Sequence, residues 1–336
     1  MLHPLGGLML RFHSTIAKGE VKVGLDATAL PAEVNWIDAM RPEAKEVAFL
    51  ERILGIVVPT LESLSAIDTS SRLYRDKDFL YMSMPMMVRS TSGVAQTSPL
   101  GFVLTKDYVL TVRYRQIKPC EDLHYADVVE NGRPADGPSA LISLLETIID
   151  HGSDELEKIN ADLDGLSQIV FDQGGGKPRQ GPIQDTKNLR RVLGAIAASG
   201  NLASKISDAL LGMSRMLPFI GAEAAFYLSP EQTAKIKSLG RDISSLNEYE
   251  RGQTDRMQFL LDATLGLTNI EQNNIFRILT VVSVVGIPPT LVASMYGMNF
   301  KNMPELEWTY GYEWGLGLIL LSALIPIIWF KRRGWW

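Results

Sequence analysis

The sequence has a single cysteine, Cys120, so no disulfide can form within the chain. Its histidines are His3, His13, His124 and His151, and no two stand at metal-ligand spacing, which argues against a dedicated zinc site. A basic stripe with interleaved aromatics is missing and the formal net charge is −5, so nucleic acid is not an expected partner. Enzymatic motifs are missing as well. There is no Gly-x-Ser-x-Gly and no His-x-x-x-His, and Gly174-Gly175-Gly176-Lys177 lacks the upstream spacing and the following Ser or Thr of a phosphate loop. The chain is therefore not expected to be an enzyme. The apolar stretch at 5–10 is too short and Gly-broken for a signal peptide, which predicts that the first ~270 residues stay in the cytoplasm.

Charge is missing entirely from two segments near the C-terminus, 278–296 and 314–330. Each is near the length needed to cross a hydrocarbon core, so a helical hairpin in a membrane is expected, with lipids as partners. The mean hydropathy of +0.05 thus averages a polar body and an apolar tail. Lys331, Arg332 and Arg333 follow the second segment and Arg277 precedes the first, while the linker sets Lys301 against Glu305, Glu307 and Glu313. Basic flanks stay inside, which places both termini in the cytoplasm and the linker outside, in the cell (inner) membrane. Trp308, Tyr310, Tyr312 and Trp314 suit one interfacial belt, and Trp329, Trp335 and Trp336 the other.

The body reads as an α+β cytoplasmic domain, an α/β sheet layered with helices. Residues 7–13 and 20–25 alternate like strands, as do 79–88, 100–104 and 108–114, the last two joined by a hairpin loop at 105–107. Residues 35–54 have helical spacing through Trp36, Met40, Val47, Leu50 and Ile53. Beyond Pro138, residues 139–171 form a helical run whose acids Glu146, Asp150, Asp154, Glu155 and Glu157 read as a solvated face. A loop at 174–178 and a second helix over 185–213 follow.

Ser229-Pro230-Glu231 is a helix start signal, and no further proline occurs until Pro288. Ile236, Leu239, Ile243, Leu246, Met257, Leu260 and Leu267 recur in a 3-4 rhythm, with Glu250, Gln253, Thr264, Glu271 and Asn274 on the same seam. Continued into the first span, this stalk helix would be ~65 residues, about 100 Å at 1.5 Å per residue. Such a seam needs partners, either the two preceding helices or further copies of the chain. The expected segments are 1–135 (sheet domain), 136–228 (helical hairpin), 229–274 (stalk), 275–297 (first span), 298–313 (outer loop), 314–331 (second span) and 332–336 (basic tail).

Two helices cannot enclose a polar path, so conduction would require several copies around an axis. The first span offers one face for this: Phe276, Thr280, Ser283, Ile287, Thr290 and Ser294 step by fours and threes. Hydroxyls on that face either line a shared path or bond back to their own helix. Pro288-Pro289 removes backbone donors and predicts a bend or a specialised packing site.

In the linker, Gly297 can take the backbone angles that end a helix sharply. Asn299 then offers an amide oxygen rather than a carboxylate. Several copies would form a ring of neutral dipoles, suited to magnesium, which gives up its water reluctantly. Glu305, Glu307 and Glu313 would raise the local cation concentration.

Tyr296-Gly297-Met298-Asn299-Phe300, Met303-Pro304-Glu305-Leu306, Trp308, Gly311-Tyr312 and Lys331-Arg332-Arg333-Gly334-Trp335 together resemble the CorA family of magnesium transporters, as do Asn269-Ile270-Glu271-Gln272-Asn273 and Pro288-Pro289-Thr290-Leu291-Val292-Ala293. Over 1–260 the likeness is one of layout. The resemblance implies a homopentameric funnel, with the first span lining the pore and the second forming an outer ring. It implies that Gly297, Met298 and Asn299 form the ion-selecting entrance, that Thr290 and Asn273 are polar pore positions, and that Phe276, Leu279 and Ile287 are apolar constrictions. It further implies closure by cytoplasmic Mg2+ bound between neighbouring copies. No matched motif places that site; by position on the stalk its candidates are Asp242, Glu248, Glu250, Asp255 and Asp262. The expected activity is passive influx of Mg2+, with Co2+ and Ni2+ as further cargo. The alternatives are the zinc-transporting ZntB branch of the same architecture and a non-conducting, membrane-anchored coiled-coil scaffold.

Overall fold

The computed structural model describes residues 10–14, 20–66, 68–90, 93–125, 136–171, 182–299 and 301–334. Residues 5–9, the loop at 174–178, Phe300, Trp335 and Trp336 lie outside them. The chain divides into two compact units, Met1–Gln168 with Gly194–Phe259, and Ile169–Leu193 with Leu260–Trp336.

The first unit is built on a sheet of strands β1 (Leu10–Ser14), β2 (Glu20–Val21), β3 (Val34–Met40), β4 (Leu73–Asp76), β5 (Phe79–Arg89), β6 (Ala95–Leu104) and β7 (Val109–Arg113), in the order β2-β1-β3-β7-β6-β5-β4. Only the central β3–β7 pair is parallel. Between strands lie helices α1 (Ala44–Leu54), α2 (Leu61–Leu64) and α3 (Thr69–Arg72), and α4 (Lys118–Tyr125) follows β7. The β6–β7 hairpin forms as expected: Thr105 Oγ1 accepts the amides of Asp107 and Tyr108 at 3.3 and 3.0 Å.

The helix expected over 35–54 is two elements. Residues 34–39 are buried at every position because β3 lies between β1 and β7 with both faces covered. A strand covered on both faces loses the period-2 alternation that would reveal it. Arg41, at φ 51°, turns the chain, and α1 begins only after Pro42, with the Glu43 amide donating to Glu46 Oε2 at 2.8 Å. Of 20–25, only Glu20 and Val21 pair as strand. Strand β6 starts five residues earlier than expected, at Ala95, because Pro99 is tolerated opposite Pro85 on β5.

One sheet face carries Ile37, Ala39, Leu110 and Val112 against Phe49, Leu50 and Leu54 of α1. The opposite face carries a buried polar chain. Trp36 Nε1 donates to Thr111 Oγ1 at 3.0 Å, and Thr111 Oγ1 donates to Asp38 Oδ1 at 2.8 Å. Arg113 grips the same carboxylate through Nε and Nη2, at 3.0 and 2.7 Å, and reaches Glu121 of α4 at 2.6 Å. Arg11 of β1 adds a second cation to Glu121 at 3.0 Å. Burial opposes ionisation of Glu121, but the bond and charge of Arg113, joined by Arg11, outweigh it and hold the carboxyl below its ordinary value.

Long helices follow: α5 (Gly137–Phe171), α6 (Pro182–Glu223) and α7 (Pro230–Tyr296). Helix α6 outruns the expected end at 213 and passes through Pro218, carried by the buried Met216, Leu217 and Ile220. It approaches β5 closely: a Cβ on Gly212 would stand 2.8 Å from Met84 Cβ. Helix α7 starts as expected. Gln232 N donates to Ser229 Oγ at 3.1 Å while Ser229 N donates to Gln232 Oε1 at 2.8 Å, a reciprocal cap. The Gln232 amide also reaches Asp136 and Ser139 at the start of α5, at 2.9 Å each, tying two helix starts together.

The seam on α7 is the expected one. Ile236, Leu239, Ile243, Met257 and Leu260 are buried, and so are Glu250, Gln253 and Thr264. Within the first unit Glu250 and the Gln253 amide nitrogen find partners, while Gln253 Oε1 is buried without one among the described residues. Glu250 accepts from Ser207 and Thr254 at 3.4 and 3.0 Å, and Gln253 donates to Asn160 at 3.1 Å, beside Arg256 of α7 on the same Asn160 at 3.0 Å.

Two stability outcomes follow from these contacts. Gln232→Leu should lower unfolding free energy by about 1–3 kcal/mol, because Asp136 and two helix starts lose a buried donor; chemical denaturation of the purified protein reads this directly. Glu121 has a folded pKa below its unfolded one, so its contribution is present above the ordinary carboxylate value of 4.5 and is lost as pH falls through the lowered folded value. Glu121→Gln should remove that part of the acid destabilisation, measured as a flatter fall of melting temperature below pH 5 or so.

Candidate functional site: the polar face of the long helix and the turn after it

Among the described residues, the C-terminal part of α7 and the last helix, α8 (Gly311–Arg332), both in the second unit, are the two helices long and apolar enough to cross a membrane. Their apolar windows are 0% and 6% buried, unlike the core helix of a water-soluble domain. Exposed apolar surface on this scale requires lipid or protein to cover it.

Burial along α7 follows the helix period. Val281, Val285, Pro288, Val292 and Tyr296 are half-buried and share one face. The face expected to be polar is turned the other way. Asn273, Phe276, Leu279, Thr280, Ile287, Thr290 and Ser294 are exposed, and Ser283 is half-buried. Ser283, Ile287, Thr290 and Ser294 line a shallow open groove on that face together with Gly286. Helix α8 has its own half-buried seam, Gly315, Leu318, Ile319, Ser322, Ala323, Pro326 and Ile327, with Leu320, Leu321, Leu324, Ile325 and Ile328 exposed.

The hydroxyls do bond back to their own helix. Thr280 Oγ1 donates to the Phe276 carbonyl at 2.8 Å and Thr290 Oγ1 to the Gly286 carbonyl at 2.9 Å. That does not remove them as polar groups. Each proton is committed to the backbone, so each oxygen presents only its lone pairs outward and acts as an acceptor. Pro288 and Pro289 lie inside the continuous helix and carry no N–H, which deprives the carbonyls of Val284 and Val285 of their usual donors. The single span expected over 275–297, with a bend or a specialised packing site at the prolines, is observed as one helix that runs through both of them.

Gly297 directly follows the last residue of α7, as expected of a helix stop. It does not use the left-handed region. Its amide bonds the Ala293 carbonyl at 3.0 Å, and Met298 N bonds the Met295 carbonyl at 3.3 Å, so the last turn tightens instead. The missing side chain still matters, since a Cβ would stand 3.3 Å from the Ala293 carbonyl oxygen. Met298 and Asn299 follow, both exposed. The linker then folds into a 3-10 turn, Pro304–Glu307, with Glu307 and Glu313 exposed and Glu305 half-buried.

Gly311 is a position that motif reading quoted without giving it a role. Its amide donates to the Trp308 carbonyl at 3.0 Å, and a Cβ there would fall inside the radius of the Glu305 carbonyl oxygen. The turn bearing Glu305 is thus clamped onto the start of α8. The available signal was a glycine at the first position of an apolar helix.

The acids considered for a regulatory site are dispersed. Asp242, Glu248, Asp255 and Asp262 are exposed on α7, while Glu250 is buried in the seam. Among the described residues, no three His, Cys, Asp or Glu side chains converge as a metal would require within one chain. Glu248, Asp255 and Asp262 are spaced by sevens on the side of the helix away from the seam.

Comparison with known proteins bears on the whole chain. A family model described as CorA-like Mg2+ transporter protein matches residues 31–332. The magnesium transport protein CorA of Yersinia pseudotuberculosis is 33% identical over 316 residues, covering 94% of this chain and 96% of that protein. Among solved structures, the complete CorA magnesium transporter of Methanocaldococcus jannaschii superposes with a TM-score of 0.72 at 20% identity, covering 99% of this chain and 100% of that one. The ZntB cytoplasmic domain from Vibrio parahaemolyticus superposes with a TM-score of 0.54 at 12% identity, covering 79% and 99%. Likeness at those identities is a likeness of fold.

Gly311→Ala should free the clamped turn. In detergent-solubilised protein, trypsin should cut after Lys301 several-fold faster than in the wild type, and unchanged cleavage would mean that the turn does not depend on the close approach.

Proposed function

Since the chain belongs to the family of CorA-like Mg2+ transporter proteins, we propose that it admits Mg2+ passively across the cell (inner) membrane, as a homopentamer whose α7 helices line a shared water-filled path. The observation that carries this reading is the exposure pattern of α7: Thr280, Thr290 and Ser294 are exposed, while Val281, Val285 and Val292 are half-buried. A lipid-facing surface would reverse that preference.

The chemistry suits a hydrated cation. Mg2+ keeps its inner waters, and those waters point O–H donors outward. Asn299, at the mouth behind Gly297 and Met298, answers with an amide carbonyl. Thr280 and Thr290 answer with hydroxyl oxygens whose own protons are occupied. Ser283, Ser294 and Asn273 extend the polar wall. Neutral acceptors hold the water shell without stripping it, so the ion can leave again. Phe276, Leu279 and Ile287 interpose apolar rings, where a narrow bore loses water and shuts. Glu305, Glu307 and Glu313 enrich cations outside. Co2+ and Ni2+, which also form octahedral hydrates, are further cargo.

Residues 1–135, 136–228 and 229–274 form the cytoplasmic part, 275–297 and 314–331 the spans, 298–313 the outer loop and 332–336 an inner basic tail. Cytoplasmic Mg2+ closes the pore. The acids Asp242, Glu248, Asp255 and Asp262, exposed on a helix whose opposite side is buried, support a sensing site completed by a neighbouring copy.

Radiotracer 28Mg2+ uptake into proteoliposomes tests the reading. Asn299→Ala should lower uptake at least tenfold while the assembly keeps its mass, and Thr290→Val should lower it several-fold. Wild-type flux in Asn299→Ala would rule out its selecting role. Uptake should persist without a proton gradient; a strict requirement for one, with zinc preferred, would assign the chain to the ZntB branch instead.

A further inference from the structure

The first unit contains a cavity that transport leaves unused. It measures about 300 Å3 and lies where β5, the start of α4, α5 and α6 meet. Its floor is apolar: Met86, Ile148, Ile206, Leu210 and Met213 are all buried. Thioether side chains can adjust to an irregular guest.

Charge gathers around this floor, and most of it is already committed. Glu155 takes Arg89 at 2.5 Å and Lys158 at 2.8 Å. Glu121 takes Arg113 at 2.6 Å and Arg11 at 3.0 Å. Burial works against both carboxylates, yet those cations hold each of them below its ordinary pKa. His151 Nε2 stands 2.6 Å from Asp122. Both rim acids therefore stay ionised and each is matched by two cations. Lys118, exposed on the same lining, forms no ion pair among the described residues. The uncommitted charge beside the apolar floor is positive.

We propose that this cavity is a binding site for a small amphipathic anion, a carboxylate with a short hydrocarbon body laid on the methionine-rich floor and its head at Lys118. A cationic guest would find both acids taken. A fully polar guest would leave the floor dry and its own groups unpaired. The volume equals about ten water-sized groups at roughly 30 Å3 each, which limits the body to about eight to ten heavy atoms. The site lies wholly within the first unit, so the proposal does not rest on the transport reading.

The test is calorimetric titration of octanoate into the full-length protein in nanodiscs, with empty nanodiscs subtracted. Saturable binding of one octanoate per chain is expected, weakened at least tenfold by Lys118→Glu and abolished by Leu210→Trp, which fills the floor. Octylammonium should show no saturable binding. Lys118 is exposed, so Lys118→Glu should keep the wild-type melting temperature and decide the matter even if Leu210→Trp fails to fold. Heat no different from empty nanodiscs, equal binding of octylammonium, or a wild-type titration by Lys118→Glu would each overturn the proposal.

Discussion

A helix in hydrocarbon has no water to bond, so it must satisfy its own backbone and turn any polar side toward something other than lipid. Much of the C-terminal unit follows from that constraint. Thr280 and Thr290 fold their protons back onto the helix, which makes them tolerable in an apolar setting and leaves them as pure acceptors. Pro288-Pro289 breaks the backbone rule at two carbonyls, in the same stretch that carries Ser283, Thr290 and Ser294. Among the described residues, Thr280, Thr290 and Ser294 on this face stay exposed. The proposed pentamer resolves the conflict by placing five such faces around water.

The first unit solves a different problem, that of holding long helices in register. The sheet is pinned to α4 by Arg113, which bridges the buried Asp38 and Glu121. Helices α5 and α7 are tied at their starts by Gln232. Along α7 the seam is apolar at first and then admits Glu250, Gln253 and Thr264. Buried polar groups weaken a seam but penalise any shift that leaves them unpaired. Ser207 pairs with Glu250 and Asn160 with Gln253 from the neighbouring helices, while Thr264 donates to the Leu260 carbonyl of its own helix.

How legible the protein was in its sequence varied along the chain, for physical reasons. Period-3.6 patterning and missing charge over long segments survive any context, so α5, α7 and both spans were readable. Residues 34–39 were not, because a strand covered on both faces alternates no more than a helix does. Helix α6 was underestimated at its end, since Pro218 reads as a stop unless one knows that Met216, Leu217 and Ile220 are buried around it. At the candidate site, the residues were visible as a motif, and Gly297 was legible as a helix stop. The way the helix stops, by a tightened last turn outside the left-handed region, was not.

The amino-acid order alone determined that the chain holds two membrane-length segments, one long seam and a hydroxyl-bearing stripe, since these are properties of spacing and composition. Tertiary structure decided which side of α7 stays open, that the threonine protons are spent on the backbone, and that Gly311 clamps the Glu305 turn. It also decided that Lys118 sits beside an apolar hollow with no ion-pair partner among the described residues. Such facts depend on distances between residues far apart in the chain or on rotamers, and spacing along a sequence does not encode either.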